Sequence, residues 1–442
     1  LIAAGTGNQQ INFGNITISS GNTGSFFAKI DANGTWQWVK QTPGRSGLFS
    51  VAVDSSDNVW INSMFYESTT NNRQILQKYD SDGNLLITKN FGSNGQVQIY
   101  SAATDSSSNL YFAGHFYETF SETINGTSIT FTETSGDLLI AKTDSNGNLL
   151  WIKTPDVSSS WSRAFDIAIH NDDEIYIIGE FYSDLQLGNY SVNAGGSTNG
   201  YLAKINSSGE WQWLTEIDNA GTISSRSLTV DMSGNPYVSG YQYSGLVNYG
   251  NGVSVAGCCG DSDAFVAKFD PNGQAQWAKS FGSSGLDRSY AINSDNSGHL
   301  WVGGFHSGAL IGSTLLSSAS GYTDIFIARM SVDYDGDDIA DVNDVDDDGD
   351  FIHDPLDSCH YSPIGFRSTG SSDHDSDGCD DDLEDDDDDN DMLNDTLDNC
   401  PKGMTDWIRT NSSDFDDDGC MDTLEDYDDD NDGIDDYEDY CS

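Results

Sequence analysis

The sequence predicts an all-β fold in residues 1–332, followed in residues 333–442 by an irregular acidic repeat with little regular secondary structure. Two observations support this division. The first part repeats a strand–turn–strand pattern about every 60 residues, and no helical periodicity interrupts it. The second part contains 43 acidic and three basic residues, which carry most of the formal charge of −54. We therefore expect two domains.

One pattern in the first domain joins two strands through a tight turn. It reads FFAKIDANGTWQW at its first occurrence and FVAKFDPNGQAQW at its last. A second strand pair around a polar turn alternates with it, so each unit contains four short strands. Asn-Gly and Asp-Gly turns favour hairpins because both residues accept positive φ. These turns are Asn33-Gly34, Asp82-Gly83, Asn146-Gly147 and Asn272-Gly273.

Four short strands per unit predict the blades of a β-propeller. About six blades are expected, with incomplete end units, because the first unit lacks its first strand and the last unit lacks its last one. The pattern resembles bacterial and archaeal propeller repeats that read D-x-F-V-A-K-x-D-x-x-G-x-x-x-W. The resemblance implies a scaffold and no particular chemistry. A β-solenoid or a β-sandwich is the alternative.

Six segments of the second domain place carboxylates in one register. Counted from the first Asp of each segment, carboxylates stand at positions 1, 3, 5, 9 and 12, with Ile, Leu or Cys at position 7. We call each segment a comb and name it after its first residue. The comb residues are Asp333, Asp335, Asp337, Asp341 and Asp344; Asp346, Asp348, Asp350, Asp354 and Asp357; Asp373, Asp375, Asp377, Asp381 and Glu384; Asp387, Asp389, Asp391, Asp395 and Asp398; Asp414, Asp416, Asp418, Asp422 and Glu425; and Asp428, Asp430, Asp432, Asp436 and Asp439.

A hard cation explains this spacing. Ca²⁺ takes six to eight oxygens, and a tight loop offers side chains from positions 1, 3 and 5, the carbonyl of position 7 and a carboxylate from position 12. EF-hand loops use a similar spacing between two helices, but no apolar helical run flanks these combs. Mg²⁺ fits less well because it keeps its waters. We therefore predict Ca²⁺ as the cofactor and the comb residues as its ligands; the alternative is a disordered acidic tail.

Position 6 divides the combs into two groups. A tight calcium loop favours glycine there, and only three of the combs have it. We expect distorted or weaker sites in the other three. The residues at position 6 are Asp338, Phe351, Gly378, Met392, Gly419 and Gly433.

Cysteines recur with the combs. Cys359 and Cys379 have the same separation in the sequence as Cys400 and Cys420. With the segment CPKGMTDWIRTNSSDFDDDGC, the repeat resembles the thrombospondin type 3 repeat and its microbial relatives over nearly all of the second domain. The resemblance implies a calcium-lined segment with little apolar core, stapled by Cys359–Cys379 and Cys400–Cys420 disulfides. Cys441 has no partner at this spacing.

Composition excludes several kinds of partner. Nucleic acid requires a basic face, which this sequence lacks, and no apolar run reaches the ~20 residues of a membrane span. Calcium sites and disulfides indicate an extracellular or cell-surface location. The missing initiator Met and signal peptide predict a mature exported chain. Glycans are a further expected partner, since sequons occur at Asn15, Asn33, Asn125, Asn189, Asn206, Asn394 and Asn411.

No catalytic residue is predicted in the first domain, which has no nucleophile motif, phosphate loop or paired acid and base. Repeated tryptophans such as Trp38 are expected in the core, and aspartates such as Asp31 are expected to cap their turns. Cys258 and Cys259 fit a vicinal disulfide better than a metal site. Structural roles are expected for His115, His170, His299 and His306.

These features predict an extracellular, calcium-stabilised structural or adhesion protein, not an enzyme. Incomplete end blades and the lone Cys441 predict self-association into a surface assembly or filament, because exposed sheet edges favour added strands. The alternative is a carbohydrate-binding or carbohydrate-active propeller with its site on the variable-loop face. Acids or exposed aromatic residues that converge at the propeller axis would favour that alternative.

Overall fold

The computed structural model describes residues 2–330 and 344–438, without residues 8–9, 20–23, 43–45, 67–71, 93–96, 159, 220–222, 244, 258–260, 296–298, 309, 312–313, 317–322, 360–361, 363–365, 406, 408, 411 and 432. The described residues form 29 β-strands and no helix, which confirms the all-β class. Among them there is accordingly no helix that could cross a membrane. The chain divides into two compact units, Leu1–Met330 and Ser331–Ser442.

The first unit begins with a three-stranded antiparallel sheet, which we call the N-terminal sheet. A small hairpin connects its first two strands. The strands of this region are β1 (Ile2–Gly7), the hairpin β2 (Gln10–Phe13) and β3 (Ile16–Ser19), β4 (Gly24–Ile30) and β5 (Trp36–Gln41).

Two complete four-stranded antiparallel blades follow. Each runs from an inner strand through two middle strands to an outer strand, with neighbours in sequence paired in space. Blade 1 consists of β6 (Ser46–Val53), β7 (Val59–Tyr66), β8 (Asn72–Tyr79) and β9 (Leu85–Phe91). Blade 2 consists of β10 (Val97–Thr104), β11 (Leu110–Ile124), β12 (Thr127–Thr143) and β13 (Leu149–Lys153).

Blades 3 and 4 repeat this plan with short additions. In blade 3, β14 pairs with the long strand β16, and the hairpin β21–β22 inserted in blade 4 pairs with the outer strand β18. Blade 3 consists of β14 (Val157–Ser158), β15 (Ser162–His170), β16 (Glu174–Leu187), β17 (Tyr190–Ile205) and β18 (Trp211–Asn219). Blade 4 consists of β19 (Ile223–Val230), β20 (Pro236–Gln242), β21 (Leu246–Gly250), β22 (Val253–Ala256), β23 (Asp263–Phe269) and β24 (Ala275–Phe281).

Among the described residues, blade 5 has three strands, and a separate two-stranded hairpin lies between its second and third strands. Its strands are β25 (Arg288–Ser294), β26 (Leu300–His306) and β29 (Asp324–Met330), and the hairpin is β27 (Leu310–Ile311) with β28 (Thr314–Leu315).

The arrangement is a five-bladed propeller. The inner strands β6, β10, β15, β19 and β25 contact one another in sequence, as inner strands do around a propeller axis. The sequence predicted about six blades. The difference is the N-terminal sheet, which packs on β6 but has no inner strand of its own among the described residues. Within the described residues, the N-terminal sheet lacks an inner strand and blade 5 lacks an outer one, as expected for the first and last repeats.

The apolar core lies between consecutive blades. Leu138 and Ile140 of blade 2 pack against Ile175 and Ile177 of blade 3, and equivalent clusters join blade 1 to blade 2 and blade 3 to blade 4. This follows from strand geometry, because alternate side chains point to opposite faces of a blade and each face meets a neighbour. The apolar core therefore consists of separate layers between neighbouring blades instead of one central cluster.

Three of the repeated tryptophans join the outer strand that carries them to the next blade. The indole Nε1 of Trp38 donates to Ser81 O at 3.0 Å, and Trp151 and Trp213 make the same contact with Ser207 O and Pro271 O. The aspartates cap their turns as expected; Asp270 Oδ1, for example, accepts the N–H groups of residues 272 and 274. In the turn that contains Ser207, Asn206 Oδ1 takes this role. The tryptophans are thus interblade contacts of the scaffold.

The described residues of the second unit form turns with neither strand nor helix. Two disulfides cross-link it, Cys359–Cys379 and Cys400–Cys420, with Cα–Cα distances of 5.1 and 5.2 Å. Both predicted pairings are therefore confirmed. Disulfides of this kind indicate an oxidising environment.

Candidate metal centres

The comb register brings carboxylates together in space. In four combs, the carboxylate oxygens of positions 1, 3 and 5 lie within 4.8 Å of one another. Like charges this close repel strongly unless a cation lies between them. The converging groups are Asp346, Asp348 and Asp350; Asp373, Asp375 and Asp377; Asp387, Asp389 and Asp391; and Asp414, Asp416 and Asp418.

Backbone hydrogen bonds hold each comb in its turn. In comb Asp373, Asp377 N donates to Asp375 Oδ1 at 3.1 Å, Gly378 N donates to Asp373 Oδ2 at 3.2 Å, and Cys379 N donates to Asp377 Oδ1 at 3.0 Å. Combs Asp346, Asp387 and Asp414 have the same three bonds. Each carboxylate of positions 1, 3 and 5 thus accepts a backbone N–H with one oxygen. Some of the second oxygens accept a further donor, as Asp373 Oδ1 does from Asp377 N at 3.1 Å.

The expected distortion at position 6 is not seen in the backbone. Phe351 and Met392 have φ of 86° and 78°, close to the 95° and 92° of Gly378 and Gly419. Combs with and without glycine therefore share one loop conformation. A side chain in this left-handed region costs roughly 1–2 kcal/mol, so the departure from glycine affects the energy of the loop and leaves its shape unchanged. Asp338 lies outside the described residues.

Position 9 has a structural role. In comb Asp387, Asp388 N donates to Asp395 Oδ1 at 2.9 Å, so the carboxylate of position 9 closes the loop on the N–H of position 2. The same bond occurs in four other combs, with Asp354, Asp381, Asp422 and Asp436 as acceptors.

Position 12 connects combs in pairs. Asp357 belongs to its own comb, since it lies among the charges of Asp348 and Asp350. Glu384, by contrast, accepts a hydrogen bond from the hydroxyl of Ser362, whose N–H donates to Asp348 Oδ2 at 2.7 Å. Position 12 of comb Asp373 therefore lies beside comb Asp346.

The next pair, comb Asp387 with comb Asp414, repeats this arrangement. Gly403 takes the place of Ser362: its N–H donates to Asp389 Oδ2 at 2.9 Å, and a Cβ on it would lie 3.0 Å from Glu425 Oε2. Asp398 lies among the charges of its own comb, Asp391 and Asp387. These four combs therefore form two modules of two combs each. The first module consists of combs Asp346 and Asp373, and the second of combs Asp387 and Asp414.

Several buried carboxylate oxygens have no hydrogen-bond donor among the described residues. Four of them are the same atoms in the first comb of each module, position 1 Oδ1 and position 5 Oδ2. A buried anionic oxygen without a donor is costly, and a cation bound in each of these combs would satisfy these four. The residues present thus fit a hard cation. The atoms are Asp346 Oδ1, Asp350 Oδ2, Asp387 Oδ1 and Asp391 Oδ2.

Several comb carboxylates also have raised pKa values. Burial raises the pKa of Asp375 to about 7, with a further contribution from the charge of Asp377. Burial and the neighbouring carboxylates raise the pKa of Asp357 to about 7 and that of Asp348, Asp389 and Asp398 to about 6. The raised pKa values mean that burial and neighbouring negative charges outweigh the hydrogen bonds that these carboxylates accept.

One acidic group was not predicted. Asp381, Asp385 and Asp388 also bring carboxylate oxygens within 4.8 Å, and Lys402 forms ion pairs with Asp381 and, at 3.3 Å, with Asp388. Asp385 and Asp388 stand at no ligand position of a comb, so the comb spacing did not predict them as ligands. The lysine supplies part of the positive charge at this junction between combs.

Some predicted residues lie outside the described part of the chain. These are Asp333, Asp335, Asp337 and Asp341 of the first comb, Asp432 and Asp439 of the last, and the cysteines Cys258, Cys259 and Cys441.

The predicted structural histidines of the first unit have the following partners. His170 contacts Glu174 at 2.8 Å and Met232 O at 3.0 Å, His299 contacts Asp295 at 3.3 Å, and His306 Nδ1 accepts from Gly308 N. His115 differs, because both of its ring nitrogens are buried without a hydrogen-bond partner among the described residues.

Fold and site together define a β-propeller protein with an appended acidic repeat. No family model and no curated protein matches the chain. Similar solved structures include a protein of unknown function from Bacteroides caccae (10% identity, 64% of this chain, 79% of that chain, TM-score 0.37). Another is an apocarotenoid oxygenase mutant from Synechocystis (11% identity, 73% of this chain, 74% of that chain, TM-score 0.37). A third is the PQQ-bound aldose sugar dehydrogenase of Streptomyces coelicolor (11% identity, 64% of this chain, 94% of that chain, TM-score 0.28). Such scores carry no conclusion about the chemistry of this chain.

Proposed function

We propose that this chain is an extracellular calcium-binding protein with a structural or adhesive role. The observation that carries the proposal is the convergence of three carboxylates in each of four combs, together with buried oxygens that lack donors. An oxygen-only ligand set in a flexible loop suits Ca²⁺ better than Mg²⁺, which demands a near-ideal octahedron. The proposal assigns no reaction to the chain.

The extracellular location is supported by two properties of the second unit. Its disulfides require an oxidising compartment to persist. Loops of this type in extracellular modules bind Ca²⁺ at roughly 10⁻⁴–10⁻³ M, a concentration that the cytosol does not supply. The described residues of this unit also include few buried apolar side chains, so metal binding would provide much of its folding energy.

The test measures calcium binding and order together. Equilibrium dialysis of the full chain at pH 7.5 should show saturable binding of at least one Ca²⁺ per intact comb. Proteolysis should cut the second unit when Ca²⁺ is replaced by EGTA, while the propeller stays intact. Equal protection in millimolar Mg²⁺, or the absence of saturable binding, would contradict the proposal.

A matched pair of variants locates the site. Asp375→Asn removes the charge of a converging carboxylate, whereas Asp382→Asn removes the same charge from an exposed residue of the same segment. We expect Asp375→Asn to lose one ion and Asp382→Asn to bind as the parent does.

Self-association is the second part of the proposal, and β29 supports it. Ile325 and Ile327 are 85% and 76% exposed, whereas Ile140 and Val266, which are equivalent to Ile327 in blades 2 and 4, are fully buried. In blade 2 this face packs on the next blade. We propose that a second copy of the chain covers it in blade 5, because exposed apolar blade faces favour association.

Sedimentation velocity across a concentration series tests this surface. The parent should associate, and Ile327→Asp should shift it towards monomer. Leu86→Asp, at another half-exposed position, should leave association unchanged. A parent that stays monomeric at high concentration in Ca²⁺ would refute self-association and leave calcium binding untouched.

A further inference from the structure

Each of the five inner strands contains a β-bulge at the same place. The irregularity lies between Leu48 and Ser50 in β6 and recurs at the matching position of the other inner strands. A bulge leaves one residue unpaired and re-aims its side chain. The five bulge residues are large and aromatic, except for one arginine: Phe49, Tyr100, Phe165, Arg226 and Tyr290.

The bulge residues touch from blade to blade. The rings of Phe49 and Tyr100 are 6.4 Å apart, and those of Tyr100 and Phe165 are 5.3 Å apart. The guanidinium of Arg226 lies 4.4 Å over the Phe165 ring. Tyr290 joins the row through Tyr241, which stands 6.1 Å from it. Together they form one cluster around the inner strands, which we call the axial cluster.

Two further arginines border the axial cluster, two residues before the bulge in their strands. Arg288 lies 4.2 Å over the ring of Tyr241, and Arg163 lies 5.2 Å over Trp161 and donates to Tyr117 Oη at 3.2 Å. Among the described residues, Arg226 has an acidic partner, Glu180 at 3.8 Å. No ion pair is formed there by Arg163 or Arg288.

This arrangement is unusual in so acidic a chain. Three guanidinium groups lie on aromatic faces and one of them is paired with a carboxylate, that of Glu180, while the whole chain carries −54. A guanidinium that stacks on a ring still presents N–H groups at its edge, where they can bind a carboxylate. Arg163 and Arg288, which form no ion pair among the described residues, therefore favour an anionic ligand.

The aromatic surface adds a second property. Tyr117 and Tyr290 are 38% and 42% exposed beside partly buried rings. His115 stacks on Tyr100 at 5.3 Å and is 1% exposed, and neither of its ring nitrogens has a hydrogen-bond partner among the described residues. Exposed ring faces offer apolar contact area with a hydroxyl at one edge. Such a surface suits a ring-shaped ligand with hydroxyl groups.

We propose that the axial cluster is a binding site for an acidic saccharide, a sugar ring that carries a carboxylate. Arg163 and Arg288, which come from blades 3 and 5, each bind a carboxylate of the ligand, and the tyrosine rings stack on the apolar face of a sugar. The five bulge residues lie in the first half of their inner strands. The site is independent of the combs and requires no metal.

Calorimetry on the full chain tests this proposal with a galacturonic acid tetramer as probe and a neutral galactose tetramer as comparison. The acidic probe should bind, and the neutral one should bind at least tenfold more weakly. Arg163→Gln and Arg288→Gln should each weaken binding at least tenfold. Arg367→Gln removes a guanidinium that lies 4.4 Å over Phe351 in the acidic unit, and it should change affinity less than twofold.

Two outcomes would overturn the proposal. One is equal affinity for the acidic and neutral probes, or no binding of either. The other is binding that survives both propeller substitutions and disappears with EGTA, because the probe would then be held through Ca²⁺ on the combs.

A second measurement does not depend on the folding of any variant. In the parent chain, the acidic probe should protect Arg163 and Arg288 from phenylglyoxal, while Arg367 stays reactive. Unchanged modification of the two propeller arginines at saturating probe would refute the site.

Discussion

Gly378 lies against the carboxylate of Asp357, so that a Cβ on this glycine would stand 2.7 Å from Asp357 Cγ. Gly378 belongs to comb Asp373 and Asp357 to comb Asp346. The same contact joins Gly419 to Asp398 in the next module. Two combs therefore meet at a point where no side chain fits, and this explains why the second comb of each module has glycine at position 6.

Gly378→Ala should accordingly weaken the module that contains it. The new methyl group meets Asp357, and φ of 95° is unfavourable for alanine, so we expect a cost of at least about 2 kcal/mol. The readout is the Ca²⁺ concentration at which the second unit becomes resistant to protease. Gly370→Ala is the control, because nothing lies within 4 Å of a Cβ there and its φ is not positive; a similar shift in both variants would contradict the contact.

Met392→Gly should have the opposite effect. Met392 is 81% exposed and has φ of 78°, so glycine relieves backbone strain without removing a packed side chain. We expect a gain of about 1 kcal/mol, measured as a lower Ca²⁺ midpoint for protease resistance. An unchanged or higher midpoint would show that the comb tolerates methionine without strain.

The stability of the second unit should depend on pH with opposite signs in the two metal states. A carboxyl whose pKa is raised by folding favours the folded state only while it is protonated. Its contribution is complete below the pKa of an unfolded Asp, ~3.9, and is lost as pH rises through about 6 to 7, the pKa values of Asp348, Asp357 and Asp375.

In EGTA, the second unit should therefore resist protease better at pH 4.5 than at pH 8. Ca²⁺ must displace these protons, so binding should strengthen between pH 5.5 and 7.5 and release protons into a weakly buffered solution. Calorimetry in two buffers of different ionisation enthalpy measures that release. Calcium affinity that does not change over this range would contradict the assignment of these carboxylates as ligands.

Removal of one disulfide should raise the calcium requirement. Each bridge joins cysteines at a sequence separation of 20, and for a loop of this size the chain-entropy estimate is about 3 kcal/mol. Cys400→Ala with Cys420→Ala should therefore increase the Ca²⁺ midpoint of its own module. The module that retains Cys359–Cys379 is the internal control, and equal shifts in both modules would show that they fold as one.

The interblade contact of Trp213 can be tested with two glycines of the same conformation. Gly273 and Gly252 have φ of 80° and 79°; a Cβ on Gly273 would lie 2.8 Å from the Trp213 ring, and one on Gly252 meets nothing within 4 Å. Gly273→Ala should lower the thermal midpoint of the propeller clearly more than Gly252→Ala. Equal shifts would mean that only the backbone conformation matters.

The candidate metal residues were largely predictable because a comb is a local structure. Within one comb, the carboxylates at positions 1, 3 and 5 converge through hydrogen bonds to their own backbone, as in Asp373, Asp375 and Asp377. The association of Glu384 with the preceding comb was not predictable, since it depends on Ser362, which donates to both Asp348 and Glu384. Neither was the group around Asp388, whose members come from two combs and the segment between them.

The sequence by itself determined the strand repeat, the turn chemistry and the comb register, because each depends on residues close together in the chain. The disulfide pairs were predicted from the resemblance of the repeat to a known family. Only the tertiary structure decided that five blades have inner strands, that Trp213 joins one blade to the next, and that Phe49, Tyr100, Phe165, Arg226 and Tyr290 meet. Those residues come from five different blades, and one position of a period-2 strand does not reveal which neighbour its side chain will meet. Packing of one blade on another supplies that information.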